Sequence, residues 1–331
     1  MINRLSHTWW MILLLTGTVF GQDSGLVATA SIMQDIVARV AGDEFPVKSI
    51  VPVGGDPHIY SPTPSDAREI SGAEIIFKNG LTFEGWLDKL IDNSGTNAKI
   101  VLMTEGVNTI QSMKYKNSTD PHAWMDVSKA MIYAENALKA LIEWKPKKES
   151  VFRKNYARFL SELKELDQWV FAQIDRIPEE KRVLITSHDA FQYYGRRYGL
   201  ELVALLGTTT DADVQTSDVM RVTETIKERQ LPAIFIESTI NPKLMNQLAR
   251  DNHVSIGGKL YSDSLSDEEG PASNYVQMIR YNTRTIVEAL RSDSKASRNE
   301  DSTSGLSTLL IWLLPVFLIV VLVGLYFARK K

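Results

Sequence analysis

One long amphipathic run, residues 147–177, dominates the hydrophobic pattern of the chain. Its apolar residues recur every three or four positions, which is the period of one buried helical face. They are Phe152, Tyr156, Phe159, Leu163, Leu166, Val170, Ile174 and Ile177. Pro146 precedes the run and Pro178 follows it, and proline suits a helix start but cannot continue a helix interior. Roughly 30 residues at 1.5 Å per residue predict a helix of about 45 Å. One arm of a coiled coil has the same period, but the repeat does not continue outside this run.

Short apolar runs alternate with amphipathic segments on both sides of this helix, and that alternation predicts α/β units with mostly parallel sheets. The predicted strands are residues 26–30, 47–51, 74–78, 100–103, 183–186, 202–206 and 234–236. The predicted shorter helices include residues 33–41, 127–144, 190–198, 217–229, 242–252 and 274–290. We therefore predict an α/β fold of two lobes, residues 25–145 and 181–291, joined by one long rigid α-helix.

The two ends of the chain have patterns of their own. Residues 1–21 combine Arg4, an apolar core and a small residue before Gln22, which predicts a secretory signal peptide. Residues 306–327 are apolar and uncharged, and about 22 residues of helix suffice to cross a hydrocarbon core of about 30 Å. The basic residues 328–331 then predict a cytoplasmic tail. The polar residues 292–305 predict a flexible tether, so the folded lobes are expected outside the cytoplasm on a single-pass C-terminal transmembrane helix.

Composition narrows the function classes. The formal net charge is −3, with 37 Lys and Arg against 40 Asp and Glu, and no basic patch indicates a nucleic-acid partner. The sequence contains no cysteine, which excludes disulfides, thiolate metal sites, cysteine nucleophiles and a thioether-linked lipid.

Three of the five histidines lie in unusual local settings. His58 and His122 each end an Asp-Pro-His tripeptide, and His188 follows the predicted strand 183–186. Asp263 occupies a similar loop in the last quarter of the chain, whereas His253 is expected at the surface. Ligands of parallel α/β sheets collect outside the carboxyl ends of the strands, which is where these loops are expected.

Three imidazoles and one carboxylate suit a borderline divalent metal such as Zn²⁺, Mn²⁺ or Fe²⁺. The alternative for each histidine is a lone structural residue. A metallohydrolase, with Asp263 or Glu237 as general base, is a further alternative, although no HExxH spacing is present to support a protease-like zinc helix.

The motifs that carry these residues resemble those of one family, the cluster A-I substrate-binding proteins of metal ABC transporters. The resemblance covers residues 25–290. The matching motifs are Gly55-Asp56-Pro57-His58, Pro62-Thr63-Pro64-Ser65-Asp66, Asn79-Gly80-Leu81, Asp120-Pro121-His122-Ala123-Trp124-Met125-Asp126, Ser187-His188-Asp189-Ala190-Phe191, Glu237-Ser238 ahead of Asn241-Pro242-Lys243, and Leu260-Tyr261-Ser262-Asp263-Ser264-Leu265.

The resemblance implies that His58 and His122 of the first lobe and His188 and Asp263 of the second bind the metal. Glu237 is a candidate partner that orients a ligand imidazole. The chain departs from the family in two respects. No His-rich loop is present in residues 107–119, which leaves the identity of the metal undetermined. The predicted C-terminal membrane helix replaces the usual lipidated cysteine.

The resemblance therefore implies an extracytoplasmic, membrane-tethered solute-binding protein that delivers Zn²⁺ or Mn²⁺, or Fe²⁺, to an ABC permease and its ATPase. It is expected to be a monomer and not an enzyme. A metal-dependent hydrolase and a surface adhesin are the alternative functions.

Overall fold

The computed structural model describes residues 25–115 and 117–291. The predicted signal peptide, tether, membrane helix and tail lie outside these residues. Among the residues that are described, no helix is both long and apolar enough to cross a membrane.

The strands are β1 Leu26–Ala28, β2 Val47–Ser49, β3 Ile75–Lys78, β4 Lys99–Leu102, β5 Val183–Thr186, β6 Glu201–Ala204, β7 Ala233–Glu237 and β8 Ser255–Leu260. The helices are α1 Ser31–Ala41, α2 Pro64–Ser71, α3 Leu87–Ser94, α4 Val127–Trp144, α5 Glu149–Ile174, α6 Gln192–Tyr198, α7 Thr216–Arg229, α8 Lys243–Asp251 and α9 Tyr275–Arg291.

The first lobe contains a four-stranded parallel sheet in the order β2-β1-β3-β4. Its central strands β1 and β3 are nearly continuous apolar runs, as expected when helices cover both faces of a parallel sheet. One face packs against α1 and α4, and the other carries a smaller apolar cluster with residues of α2 and α3. The carboxyl ends of all four strands lie at the same edge.

The second lobe contains two parallel strand pairs, β5-β6 and β7-β8. Strand β8 was not predicted, because Gly257 and Gly258 interrupt its sequence and glycine is unfavourable in strands. Packing requires both glycines. A Cβ atom on Gly257 would lie 2.7 Å from the Cβ of Ala289, and one on Gly258 would lie 2.4 Å from a methyl carbon of Thr285. The two glycines therefore let helix α9 pack directly on β8.

Helix α5 joins the lobes, and its 26 residues lie inside the predicted range 147–177. It is shorter than predicted at both ends. Residues Pro146–Lys148 form a separate 3₁₀ turn, and the helix ends at Ile174, although Ile177 is still buried. The apolar face is buried as the period predicts, apart from half-buried Tyr156.

The largest apolar cluster of the described residues extends through both lobes, and each lobe has a smaller cluster of its own. The largest cluster contains residues of α1 and α4 from the first lobe, the buried face of α5, and residues of α6, β8 and α9 from the second lobe. Close-packed cores resist deformation, so we expect the lobes to move little relative to one another. The segments at the strand ends between the lobes are therefore the main place for a site that changes on binding.

Candidate metal centre

Four side chains lie together where the two lobes meet. His58, His122, His188 and Asp263 each contribute an atom suited to bind a metal, and these atoms all lie within 4.8 Å of one another. Each residue lies on a segment that leaves the carboxyl end of a strand, namely β2, β4, β5 or β8. The structure thus brings together all four residues that the sequence motifs indicated.

The distances among the four side chains suit one small cation. His58 Nε2 lies 3.1 Å from His122 Nε2, and His188 Nε2 lies 3.3 Å from Asp263 Oδ2. Asp263 Oδ1 lies 3.6 Å from His122 Nε2 and 4.0 Å from His58 Nε2. Four ligands bound tetrahedrally at 2.0–2.1 Å lie about 3.3–3.4 Å apart. The spacing therefore fits a single divalent transition metal among the four atoms.

His58 is held by the proline-rich loop between β2 and α2. Its backbone N–H donates to Asp56 Oδ1 at 2.9 Å, and the indole N–H of Trp86 donates to the carbonyl of Pro57 at 2.8 Å. The imidazole packs edge-on against Phe83, with ring centroids 4.8 Å apart, and only 4% of the side chain is exposed. These contacts therefore constrain the position of the imidazole ring.

His122 is oriented by a buried carboxylate. Asp120 Oδ1 accepts from the backbone N–H of His122 at 2.9 Å and lies 2.7 Å from the ring Nδ1. This contact leaves Nε2 free to face the other ligand atoms. Two residues later, the Trp124 indole N–H donates to the Ser262 carbonyl at 2.9 Å, and the Tyr275 hydroxyl donates to the Trp124 carbonyl at 2.6 Å. These bonds tie the segment to the second lobe.

Glu237 orients His188 in a similar way. Its Oε1 accepts from the backbone N–H of His188 at 2.9 Å, and its Oε2 lies 2.8 Å from the ring Nδ1. On Asp263, the hydroxyls of Ser262 and Thr239 donate to Oδ2 at 3.3 and 3.4 Å, whereas Oδ1 has no hydrogen-bond partner among the described residues. Glu237 therefore lies where its predicted orienting role requires it.

Neighbouring carboxylates raise the pKa values of two of the three imidazoles. Burial lowers the pKa of His188, but Glu237 and Asp263 outweigh burial and hold this pKa well above its ordinary value. Burial also lowers the pKa of His122, and the Asp120 carboxylate outweighs it, so this pKa is raised as well. Each of these carboxylates therefore favours the protonated form of the imidazole that it contacts.

His58 behaves differently because, in the part of the chain that the structure describes, no carboxylate forms a hydrogen bond or ion pair with its Nδ1. Burial lowers the pKa of His58 to about 3, and the attraction of Asp263 offsets only part of this effect. For Asp263, burial raises the pKa, but the imidazoles of His188, His58 and His122 outweigh it and hold the pKa below its usual range. The site thus has a neutral His58 and an ionised Asp263 near pH 7.

The sequence motifs indicated every candidate ligand and Glu237, but they missed Asp120. The sequence does contain a pattern that indicates this role, because an aspartate stands two residues before the histidine in both Asp-Pro-His tripeptides. The sequence did not reveal that only Asp120 also lies against the imidazole ring. That contact depends on the path of the chain after Pro121.

Comparison with known proteins agrees with this geometry. A model of the family described as "ZnuA: Zinc-uptake complex component A periplasmic" matches residues 26–289. The manganese-binding lipoprotein MntA of Halalkalibacterium halodurans is 33% identical over 270 residues, which are 82% of this chain and 89% of that protein. The manganese ABC transporter substrate-binding lipoprotein PsaA of Streptococcus pneumoniae is 32% identical over 273 residues, which are 80% of this chain and 88% of that protein.

Solved structures show the same architecture. The periplasmic zinc binding protein TroA from Treponema pallidum superposes with a TM-score of 0.76 at 32% identity, covering 81% of this chain and 99% of that one. A Mn-bound periplasmic metal binding protein from Candidatus Liberibacter asiaticus has a TM-score of 0.74 at 30% identity, covering 80% and 98%. These matches confirm the predicted two-lobed α/β fold with parallel sheets. The chain belongs to the ZnuA family, the cluster A-I substrate-binding proteins of metal ABC transporters.

Proposed function

We propose that this protein captures one divalent transition metal, Zn²⁺ or Mn²⁺, between its lobes and delivers it to an ABC permease and its ATPase. The observation that carries the proposal is the convergence of three imidazole nitrogens and one carboxylate within 4.8 Å of one another. His58, His122, His188 and Asp263 bind the metal, while Asp120 and Glu237 orient His122 and His188.

The ligand set favours holding a metal over catalysis with it. A catalytic zinc ion keeps one position open for water, whereas four protein ligands complete a tetrahedral shell. The four side chains are also almost wholly buried, with 4% of His58 exposed and none of the other three. A cargo ion is shielded by such a site until the ligand loops move apart.

The identity of the metal is a separate part of the proposal. The family description names zinc, MntA and PsaA are named for manganese, and TroA is named for zinc. Affinity favours Zn²⁺ over Mn²⁺ at most sites of nitrogen and oxygen ligands, so affinity alone does not identify the cargo. We propose Zn²⁺ or Mn²⁺, with Fe²⁺ as a further candidate.

Transport is tested by uptake of radioactive zinc and manganese into cells that lack this protein. Wild-type protein should restore uptake of the cargo metal, and Asp263→Ala should not. Glu268→Ala is the matched control, because Glu268 is an exposed carboxylate five residues away. Equal restoration by the Asp263 and Glu268 variants would contradict the proposal.

We further propose that the protein is a monomer held at the outer face of the membrane by residues 306–327. MntA and PsaA are named lipoproteins, whereas this sequence contains no cysteine to carry the lipid. The apolar stretch supplies an alternative anchor. Full-length protein should remain with membranes in high salt and be released by detergent, and truncation after Arg291 should give a soluble protein that binds metal. Release by salt alone would exclude this anchor.

A further inference from the structure

A second group of candidate ligands lies on the far side of the His122 ring. Single ligand atoms of Asp120, His122 and Asp189 lie within 4.8 Å of one another, and all three residues are buried. His122 separates the two groups, because its Nε2 faces His58 whereas its Nδ1 faces Asp120.

The carboxylates of this group have oxygen atoms without protein partners. Asp120 uses Oδ1 for His122, but within residues 25–115 and 117–291 its Oδ2 accepts no hydrogen bond and neither oxygen of Asp189 accepts one. Asp120 is 0% exposed and Asp189 is 2% exposed. Among the described residues, no lysine or arginine forms an ion pair with either carboxylate. His122 is the charge partner of Asp120, whereas ionised Asp189 is buried with no hydrogen-bond or ion-pair partner among the described residues; such a group is costly, and a bound cation removes that cost.

A cavity lined by residues of both lobes lies beside Asp189. It has a volume of about 290 Å³, and Asp189 forms part of its wall. The basic residues at the cavity are already engaged, because Lys114 Nζ lies 2.7 Å from Asp218 Oδ2 and Arg221 lies 3.1 Å from Asp218 Oδ1. Among the described residues, neither Lys114 nor Arg221 at the cavity pairs with Asp189.

We propose that Asp120 and Asp189 form an accessory site for a divalent cation beside the His122 ring, with Mn²⁺ as its best-suited ligand. Carboxylate oxygens favour Mn²⁺ and Mg²⁺, whereas imidazole favours Zn²⁺. Asp120 Oδ2 and the Asp189 carboxylate can bind the cation while Asp120 Oδ1 keeps its contact with Nδ1 of His122. Both sites can then be filled at once.

The arrangement also predicts that the accessory cation binds more weakly than the metal held by the three imidazoles. Two divalent cations on opposite sides of one imidazole repel each other, and the accessory group offers fewer protein ligands. Its filling should therefore follow that of the first site as the Mn²⁺ concentration rises.

The accessory site is tested by Mn²⁺ counting on full-length protein in detergent. Equilibrium dialysis at rising Mn²⁺ should show two ions bound by the wild type and one by Asp189→Asn. The retained ion should bind the variant with unchanged affinity, which also shows that the variant is folded. Asp211→Asn, which removes an exposed carboxylate of the same lobe, should still bind two ions. One ion in the wild type, or two in Asp189→Asn, would overturn the proposal.

A second measurement uses unmutated protein. One equivalent of Zn²⁺ is bound first, and Mn²⁺ is then titrated while electron paramagnetic resonance distinguishes bound from free Mn²⁺. One further bound Mn²⁺ supports the accessory site, and none overturns it. Absence of the initial Zn²⁺ binding would count instead against the proposed transport function, and the Asp189-dependent Mn²⁺ count still reports on the accessory site alone.

Discussion

The two Asp-Pro-His loops share a tripeptide but differ in what the aspartate does. In both, the aspartate Oδ1 accepts from the backbone N–H of the histidine at 2.9 Å. Asp120 also lies 2.7 Å from the imidazole Nδ1 of His122. Asp56 instead accepts a hydrogen bond from the Thr210 hydroxyl of the second lobe at 2.6 Å. One loop thus orients a ligand, while the other joins the two lobes beside the site.

This difference has an electrostatic consequence for the two histidines. The Asp120 carboxylate outweighs burial and raises the pKa of His122, whereas burial lowers the pKa of His58 to about 3. The same local sequence therefore produces one imidazole whose protonated form is favoured and one that is neutral near pH 7. Two copies of the same tripeptide can therefore place their aspartates in different roles.

Of the changes considered, removing the charge of Asp120 should weaken metal binding the most. Asp120→Asn should weaken metal binding by about 10–100-fold, because the carboxylate that orients and polarises His122 is lost. Asp56→Asn is the matched variant in the other loop and should weaken binding less, since Asp56 does not contact an imidazole nitrogen. Competition titration against a chelator measures both, and equal losses in the two variants would contradict the difference in roles.

As the pH falls, release of the metal should be coupled to the uptake of about two protons, one by His122 and one by His188. His122 and His188 have raised pKa values, so each takes up a proton when metal leaves as the pH falls below these values. His58, with a pKa of about 3, and the ionised Asp263 contribute nothing between about pH 5 and 8. The logarithm of the affinity should therefore fall with falling pH at a slope approaching two. A slope of one or less would contradict the raised pKa values of His122 and His188.

Removing the hydrogen bond between Thr210 and Asp56 should have the smallest effect on metal affinity. Thr210→Val removes one hydrogen bond between the lobes, which contributes about 0.5–1.5 kcal/mol. The affinity should therefore fall by roughly 2–10-fold, mainly through faster metal release. Thr209→Val is the adjacent control, because the Thr209 hydroxyl accepts a hydrogen bond from the backbone N–H of Asp211 and, among the described residues, forms none with the first lobe. Stopped-flow release kinetics compare the two variants.

The periodic and chemical signals in the sequence predicted most of what positions the site. The buried face of α5 and most of the strands follow directly from apolar spacing, and the candidate ligands lie in loops stiffened by proline or placed at strand ends. The exception among the strands is β8, whose glycines are selected by close packing against α9. No pattern within the strand itself indicates that contact.

The contacts of Asp120 and Asp189 could not be predicted for a related reason. Their positions depend on long-range packing, such as the Trp124 bond to Ser262, which joins residues 138 positions apart. Local spacing identifies which residue types lie in a loop. It does not determine which side of an imidazole a neighbouring carboxylate faces.

The central claim is that one metal is bound by ligands from both lobes. The most direct test is calorimetric titration of His58→Ala and Asp263→Ala with Zn²⁺, with Glu268→Ala as the control. Both ligand variants should weaken the same tight binding event of the wild type and reduce the metal-induced rise in melting temperature, and the control should do neither. Two independent tight sites, each lost in only one of the two variants, would contradict the shared site.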